Sequence, residues 1–236
     1  MNVLKSQEDI FIIKRDGQQE PLDINKVHKM TEAACEGLSG VSPSLVEMNS
    51  CLQFSNGMST NDIQEVLIKS ANDLITLESP NYQYVASRLL LFTIRKEVFG
   101  KHIDHQYQVP LQFLVGRNIE KGLYDPNIMK WYSDDEFKTL DSYIKHDRDY
   151  DFTYAGLRQV SDKYLVQDRS SGKVFETPQY MYMLISATLF HNYPKEKRMG
   201  YIKRYYDAIS KFKINIPTPV MAGVRTPLKQ YASCVL

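Results

Sequence analysis

Apolar side chains recur every three or four positions through most of the chain, which is the period of an amphipathic helix. The first such run follows Asp23, a good helix-capping residue, so a helix is predicted to begin at Ile24. Comparable runs predict two further helices, one that begins at Pro43 and one that begins after Thr60. Five more are predicted over about 82–99, 134–144, 154–160, 178–191 and 195–212. A mainly helical protein is therefore predicted.

Two short hairpins interrupt the helical pattern. Residues 11–15 and 18–22 flank Asp16-Gly17, a pair that favours the positive φ angles of a tight two-residue turn. Residues 164–166 and 173–175 flank a Ser-Ser-Gly turn in the same way. The first hairpin and four helices suffice for one compact module that ends near Gly100, and the helices beyond it form a second domain.

The last part of the chain has a different character. Residues 214–227 contain three prolines and a glycine, a composition that predicts no helix there. The final residues, Ser233 to Leu236, have the pattern that opens a buried strand.

The charge balance excludes several classes of partner. The chain has 236 residues with 29 Lys plus Arg and 28 Asp plus Glu, a net charge of +1. Such a chain has no excess positive charge that would attract nucleic acid or an anionic membrane. No apolar run approaches the roughly 18 residues of a membrane span. Three cysteines without a C-x-x-C pair indicate neither a disulfide framework nor a four-ligand zinc site. A cytoplasmic protein with reduced thiols is expected, since no signal peptide precedes the first hairpin.

One group of cations has the pattern of an anion site. Lys14 and Arg15 precede the first turn, and Lys26 lies in the first turn of the next helix. Free backbone N–H groups at a helix N-terminus, together with nearby cations, suit a phosphate chain. Spacing alone favours the other interpretation, a solvated hairpin edge, and it gives Thr60 and Lys96 the ordinary roles of a helix cap and a helix end.

Several segments resemble known proteins. Residues 13–17 (Ile-Lys-Arg-Asp-Gly), 23–27, 59–63, 80–84 and Arg95-Lys96 resemble an ATP cone, the regulatory nucleotide-binding module of ribonucleotide reductases. Residues 146–149, 163–166 and 217–227 are similar to the large, catalytic subunit of the aerobic class I enzyme. Residues 230–236 (Gln-Tyr-Ala-Ser-Cys-Val-Leu) resemble the segment that bears its first redox cysteine.

The resemblance implies a domain order. Residues 1–9 are a tail and 10–100 an ATP cone, built from a small β-hairpin and a four-helix bundle. Residues 101–216 are a helical domain with a hairpin, and 217–236 begin a ten-stranded α/β barrel with its first strand, the rest of the barrel lying outside this sequence.

The resemblance also implies the site residues. ATP or dATP, with Mg²⁺, is expected to bind Lys14, Arg15, Glu20, Pro21, Leu22, Asp23, Ile24, Asn25, Lys26, Thr60 and Lys96. Cys234 is the expected redox-active cysteine, and Thr218, Ser233 and Cys234 are expected to contact substrate. Strongly dATP-inhibited members often carry histidines where this chain has Gln64 and Thr93, so weak inhibition is expected.

In that family the large subunit reduces ribonucleoside diphosphates to deoxyribonucleoside diphosphates by thiyl-radical chemistry. The resemblance implies as partners the C-terminal remainder of the large subunit, a second large subunit, a small subunit that supplies a di-iron tyrosyl radical, and thioredoxin or glutaredoxin. This chain by itself is expected to be inactive. Two alternatives are a stand-alone ATP-cone regulator, such as the repressors that join a cone to a zinc ribbon, and an assembly piece whose nucleotide site has decayed. The lack of paired cysteines and the 217–234 segment argue against the regulator.

Overall fold

The computed structural model describes residues 10–100 and 108–232. Contacts divide the chain into two compact units, one of residues 1–93 with 153–155 and one of residues 94–152 with 156–236. The described part is mainly helical, with a single small sheet of two strands, as predicted. The expected tail, residues 1–9, lies outside the described residues.

The first unit begins with an antiparallel hairpin of β1 Phe11–Ile13 and β2 Gln19–Pro21, in which Ile12 faces Glu20. The predicted two-residue turn is wrong. The strands are joined by a longer connection, in which the Gly17 N–H donates to the Lys14 carbonyl and the Lys14 N–H to the Gln18 carbonyl. Only Gly17, with φ of 82°, adopts the left-handed conformation there, so the turn is a three-residue loop that closes with a glycine bulge.

Four helices follow the hairpin, and their bounds are α1 Ile24–Cys35, α2 Pro43–Cys51, α3 Thr60–Asp73 and α4 Tyr82–Phe99. Helix α1 packs on α2, and α2 packs on α3. The apolar faces that predicted these helices meet in a core that includes Ala34, Val46, Leu67 and Val85, each of them fully buried. Helix α4 contributes residues up to Thr93 to this unit and its last six residues to the second.

The helices of the second unit are α5 Leu111–Glu120, α6 Ile128–Trp131, α7 Asp134–Tyr143, a 3₁₀ helix His146–Asp151, α8 Tyr154–Lys163, α9 Pro178–Phe190, α10 Lys195–Ser210 and α11 Thr218–Gly223. The first two residues of α8 are counted with the first unit. Helix α9 is the centre of this unit, because it is buried on every side from Pro178 to Thr188. It packs against α10, α11 and the 3₁₀ helix. A helix that is apolar all round belongs in a core, as this one does.

Two expectations for the second unit need correction. The predicted hairpin at 164–175 is a turn closed by one antiparallel bridge, Gln167 with Val174, and it contains no regular strand. Residues 214–227 do contain a helix, α11, although their prolines predicted none. Pro219 lies in its first turn, where a missing N–H costs nothing, so proline starts this helix rather than preventing it.

The described end of the chain, up to residue 232, contains α11 and a turn but no strand. The barrel strand expected at the end of the chain involves residues 233–236, which lie outside the described residues. None of the helices within 10–100 and 108–232 combines the length and the apolar character needed to cross a lipid bilayer.

Candidate functional site

The predicted anion site is a cluster of opposite charges between the first hairpin and α1. Lys14 follows β1, and its Nζ lies 2.7 Å from Oε2 of Glu20 in the middle of β2. Lys26 approaches the other carboxylate oxygen of Glu20 at 3.7 Å. The bond to Glu20 raises the pKa of Lys14, and the same bond lowers the pKa of Glu20 despite its partial burial. One carboxylate is thus shared by two ammonium groups, and all three side chains remain partly exposed.

The N-terminus of α1 lies beside this cluster. Asp23 caps the helix, since its Oδ1 accepts from the N–H of Asn25 at 3.0 Å, while its other oxygen lies 3.8 Å from Lys26 Nζ. Pro21 ends β2, and the N–H of Leu22 donates to the Ile10 carbonyl. The segment that connects β2 to the helix is therefore fixed by backbone bonds. Ile24 opens the helix with its side chain half exposed.

The start of α3 is joined to the same hairpin. Ile13 forms a parallel bridge with Ser59, and its N–H donates to the Met58 carbonyl at 2.9 Å. At the hairpin loop, Arg15 donates from Nε and Nη2 to Oδ1 of Asn61 at 3.2 and 3.1 Å. The hairpin loop and the first turn of α3 are thereby brought together.

The predicted capping role of Thr60 is wrong. Ser59 is the cap, in a capping box with Asp62, and Thr60 is the first helical residue. The hydroxyl and N–H of Ser59 both donate to the Asp62 carboxylate, which lowers its pKa. The Thr60 hydroxyl is not used by the cap, and its side chain is partly exposed next to Arg15's partner, Asn61.

At the other end of the chain, Thr218 is the first residue of α11 and is exposed. Its hydroxyl lies 3.3 Å from the hydroxyl of Tyr164. Ser233 and Cys234, the other two residues predicted to contact substrate, lie outside the described residues. Of the remaining cysteines, Cys35 is a buried thiol whose pKa is raised to about 11 by burial, and Cys51 is exposed.

Comparison with known proteins finds two known domains in this chain. A family profile described as the ATP cone domain matches residues 10–97, and one described as the all-alpha domain of ribonucleotide reductase matches residues 150–229. The whole chain is similar to the N-terminal part of ribonucleoside-diphosphate reductase alpha subunits. The chain carries an ATP cone domain and an all-alpha domain of ribonucleotide reductases.

Its relatives include the ribonucleoside-diphosphate reductase 1 alpha subunits of Salmonella typhimurium, 47% identical over 230 residues, and Escherichia coli, 46% identical over 230 residues. In each case the match covers 97% of this chain and 30% of the relative. The alpha subunit of Enterobacteria phage T4 is 40% identical over 227 residues, which is 96% of this chain and 29% of the relative. The chain thus spans about 30% of the length of the curated relatives it matches.

The remaining residues expected to matter for nucleotide binding lie on α3 and α4. Gln64 donates from Nε2 to the Leu89 carbonyl at 2.8 Å, and Thr93 Oγ1 lies 3.5 Å from the same oxygen. In the ATP cone of this chain, both residues therefore bond to a backbone carbonyl of α4. Lys96 lies in the last turn of α4, among the residues counted with the second unit.

Sequence reasoning missed a buried ion pair in the reductase all-alpha region. Arg225 and Glu176 are both fully buried, and the guanidinium Nε lies 2.9 Å from Oε2 of Glu176. The Glu176 carboxylate also accepts from the Val166 N–H and from the hydroxyl of Tyr124, whose pKa burial raises strongly. Arginine is mostly exposed in proteins, and no local pattern in 217–227 signals that this one is buried.

The same guanidinium positions the Thr218 region. Arg225 donates to the backbone carbonyl of Met221, which lies within α11. It also donates to the backbone carbonyl of Tyr164, at 2.7 Å. Tyr164 is the residue whose hydroxyl meets Thr218. The Arg225 side chain therefore bonds to the backbone of both segments that carry the two hydroxyl groups, α11 with Thr218 and the residue Tyr164 itself.

A second buried carboxylate, that of Asp149, accepts a hydrogen bond from a glutamine of α9. Asp149, in the 3₁₀ helix, is fully buried and accepts from Gln179 Nε2 at 3.0 Å, and Gln179 in turn accepts from the Tyr206 hydroxyl. Burial raises the pKa of Asp149 to about 7, although Arg95 opposes the shift.

Within the described ranges, no group of three His, Cys, Asp or Glu side chains is arranged to hold a metal ion.

Proposed function

We propose that the hairpin face of the ATP cone binds ATP or dATP as an allosteric effector. The observation that carries the proposal is that Lys14 and Lys26 meet at Glu20 beside the start of α1, while Arg15 bonds to Asn61 at the start of α3, in a segment that matches the ATP cone profile. Cations beside free helix N–H groups are the groups that hold phosphates in other proteins. The solvated-edge alternative does not account for a hairpin that is bonded to two helix starts.

Within this site each residue has a proposed role. Lys14, Arg15, Lys26 and Lys96 meet the phosphates, and the Thr60 hydroxyl is available at the start of α3. The segment from Glu20 to Asn25 lines the base and ribose, and the carboxylate of Glu20 or Asp23 faces one of them. For the phosphates to bind, Lys14 must exchange Glu20 for a phosphate oxygen. That exchange is possible at little cost because the pair is partly exposed.

Magnesium would enter with the nucleotide. The cluster has two carboxylates, Glu20 and Asp23, but both are already engaged with lysines, and the second also caps α1. Such a site suits an ion held chiefly by phosphate oxygens and water, which is how Mg²⁺ usually accompanies triphosphates.

For the complete reductase, we propose that this chain supplies the regulatory cone (10–100), a helical domain (101–216) and the entry to the catalytic barrel (217–236). Together with the remainder of the large subunit it would take part in reduction of ribonucleoside diphosphates. Cys234 would be one of the two thiols that supply electrons and close to a disulfide, with Thr218 and Ser233 contacting substrate. The partners proposed are a second large subunit, a radical-supplying di-iron small subunit, and thioredoxin or glutaredoxin. The match of residues 150–229 to a reductase domain argues against the zinc-ribbon repressor alternative.

Isothermal calorimetry of ATP and dATP with the 236-residue chain tests the nucleotide site. A charge-assisted contact to phosphate is worth about 1.5–3 kcal/mol, so Lys14→Ala and Lys96→Ala should each weaken ATP binding roughly ten-fold or more. Lys138→Ala is the matched control, because Lys138 is an exposed lysine paired with Asp135 far along the sequence. The absence of ATP binding at millimolar nucleotide, or equal loss in the control, would contradict the proposal.

A further inference from the structure

Tyr164 lies beside Thr218, one of the residues of the proposed substrate site. The two hydroxyl oxygens are 3.3 Å apart. Thr218 is exposed and Tyr164 is half-buried, so a molecule from solvent can reach the threonine. The bond between the two hydroxyls contributes little to the stability of the fold, because water can replace either partner.

The backbone at Thr218 is held between two prolines. Pro217 and Pro219 flank it, and each ring fixes the φ angle of its own residue. The Pro217 carbonyl accepts from the N–H groups of Val220 and Met221, at 3.0 and 3.1 Å, which closes the first turn of α11. The remaining freedom at Thr218 is rotation of the side chain about χ1 and of the hydroxyl proton about the C–O bond.

The backbone at Tyr164 is anchored on both sides. Its N–H donates to the Val160 carbonyl at 2.9 Å, in the last turn of α8, and its carbonyl accepts from Arg225 Nη2 at 2.7 Å. Two residues further on, the Val166 N–H donates to Oε1 of Glu176 at 2.7 Å. Arg225 and Glu176 are fully buried and paired with each other. The phenol is therefore carried by a segment that is tied to the core.

One buried guanidinium joins the segments that carry the two hydroxyls. Arg225 donates to the Tyr164 carbonyl and also to the Met221 carbonyl within α11, the helix that begins at Thr218. The separation of the hydroxyls is therefore set before any ligand binds. Groups that are positioned in advance lose little conformational entropy on binding.

The direction of the hydrogen bond decides what Thr218 can offer a ligand. A threonine hydroxyl has one proton to donate and two lone pairs that accept. When Thr218 donates its proton to Tyr164, only lone pairs are left, and these repel the acceptor oxygens of a diphosphate. When Tyr164 donates instead, the Thr218 proton is left for the ligand, and two hydrogen bonds in the same direction strengthen each other. A substrate rich in acceptor oxygens therefore requires Tyr164 to be the donor.

We propose that Tyr164 positions Thr218 for substrate. Its hydroxyl donates to Thr218 Oγ1, fixes the rotamer of that side chain, and directs the Thr218 proton to an acceptor oxygen of the ribonucleoside diphosphate. Tyr164 is thus a positioning residue, since it acts through Thr218, and its role rests on the proposed contact between Thr218 and substrate. It does not depend on nucleotide binding by the cone, because both residues lie in the second unit.

Nuclear magnetic resonance of the 236-residue chain tests the positioning directly. The three-bond couplings from Thr218 Cγ2 to its backbone nitrogen and carbonyl carbon report whether χ1 holds one rotamer or averages over several. One rotamer is expected in the natural protein, and averaged couplings are expected in Tyr164→Phe, which removes only the hydroxyl.

Tyr143→Phe is the matched control and should leave the couplings unchanged. Tyr143 is another partly exposed tyrosine of the second unit, at the end of α7. An averaged χ1 in the natural protein, or a single rotamer that persists in Tyr164→Phe, would overturn the proposal.

Kinetics of the enzyme reconstituted with the rest of the large subunit and the small subunit tests the link to substrate. Tyr164→Phe and Thr218→Val should each raise KM for a ribonucleoside diphosphate roughly 2- to 10-fold, with kcat little changed. The double variant should be no worse than Thr218→Val alone, because Tyr164 acts only through that hydroxyl. A merely structural role of Tyr164 would make the two effects multiply.

The single variants separate the role of Tyr164 from the proposed substrate contact. An unchanged KM in Thr218→Val would show that Thr218 does not contact substrate, and both proposals would fall. A raised KM in Thr218→Val, together with an unchanged KM in Tyr164→Phe or multiplied effects in the double variant, would overturn the role of Tyr164 alone.

Discussion

The buried carboxyl of Asp149 makes the stability of the second unit depend on pH. Its side chain is fully buried. Among the described residues, only Gln179 donates a hydrogen bond to its side chain, at 3.0 Å to Oδ1, and Oδ2 has no partner. Burial raises the pKa of Asp149 to about 7, against the opposing charge of Arg95. The carboxyl is therefore largely protonated in the folded protein below neutral pH.

The size of the effect follows from linkage between protonation and folding. In the unfolded chain an aspartate has a pKa of about 3.9, and each unit of difference corresponds to about 1.36 kcal/mol. A folded pKa of about 7 gives a penalty on the order of 4 kcal/mol. The penalty is absent below about pH 4, where both states are protonated. It grows as pH rises from 4 to 7, because only the unfolded state ionises, and it is constant above that window.

Asp149→Asn should remove this penalty, since an amide cannot ionise and has nearly the same shape. The measurement is urea unfolding at a series of pH values from 4.5 to 8, with fluorescence of Trp131, which lies in the same unit, as the signal. The quantity to plot is the free energy of unfolding of the variant minus that of the natural protein. This difference should rise by about 2–4 kcal/mol across the range.

Taking the difference cancels the contribution of a neighbouring histidine. Burial and Arg95 lower the pKa of His146 to about 3, so this residue stabilises the fold above about pH 6.5, the unfolded value, and the stabilisation is lost as pH falls. In the natural protein the two trends oppose each other. The charged and titratable groups near Asp149 also include Asp147 and Tyr206.

Asp147→Asn is the matched control, because Asp147 lies two residues away and is exposed. Its difference curve should stay flat to within about 0.5 kcal/mol. A flat curve for Asp149→Asn, or one that falls with rising pH, would show that Asp149 is ionised in the folded protein and would refute the reasoning.

Three further predictions concern other parts of the chain. Arg225→Met should destabilise the second unit by about 3–5 kcal/mol in urea unfolding because it leaves Glu176 buried without its cation, and adding Glu176→Gln should recover much of the loss; equal stability of the single and double variants would contradict this. Cys234→Ser should abolish thioredoxin-dependent turnover of an enzyme reconstituted with the rest of the large subunit and the small subunit, without weakening assembly, and the 236-residue chain alone should reduce no ribonucleotide. In that reconstituted enzyme dATP should bind yet inhibit poorly, and Gln64→His should strengthen inhibition; complete inhibition of the natural protein by micromolar dATP would rule this out.

Much of the secondary structure could be read directly from the sequence, because helix starts and turns depend on neighbouring residues. Asp23 caps α1 and α7 begins at Asp134, as predicted. The prediction failed where one residue type serves two purposes. Proline breaks a helix interior but fits the first turn, so Pro219 was taken as excluding α11 although it lies in the first turn of that helix.

The pairing of distant charges was decided only by tertiary structure. Lys14 and Lys26 were recognised as cations, but the shared Glu20 between them depends on the antiparallel register of β1 with β2 and on where α1 begins. Arg15 meets Asn61 because β1 is bridged to the residue before α3. Such contacts join residues as many as 46 positions apart, and no local pattern encodes them.

The same holds for burial of polar groups. Residue type alone favours exposure of Arg225 and Asp149, since arginine and aspartate are mostly exposed. The fold buries both beside α9, the helix at the centre of the second unit. Local sequence therefore determined where helices begin and which of their faces are apolar. Packing decided which polar side chains were enclosed with them, because that depends on which helices meet. The Arg225–Glu176 ion pair and the raised pKa of Asp149 both follow from it.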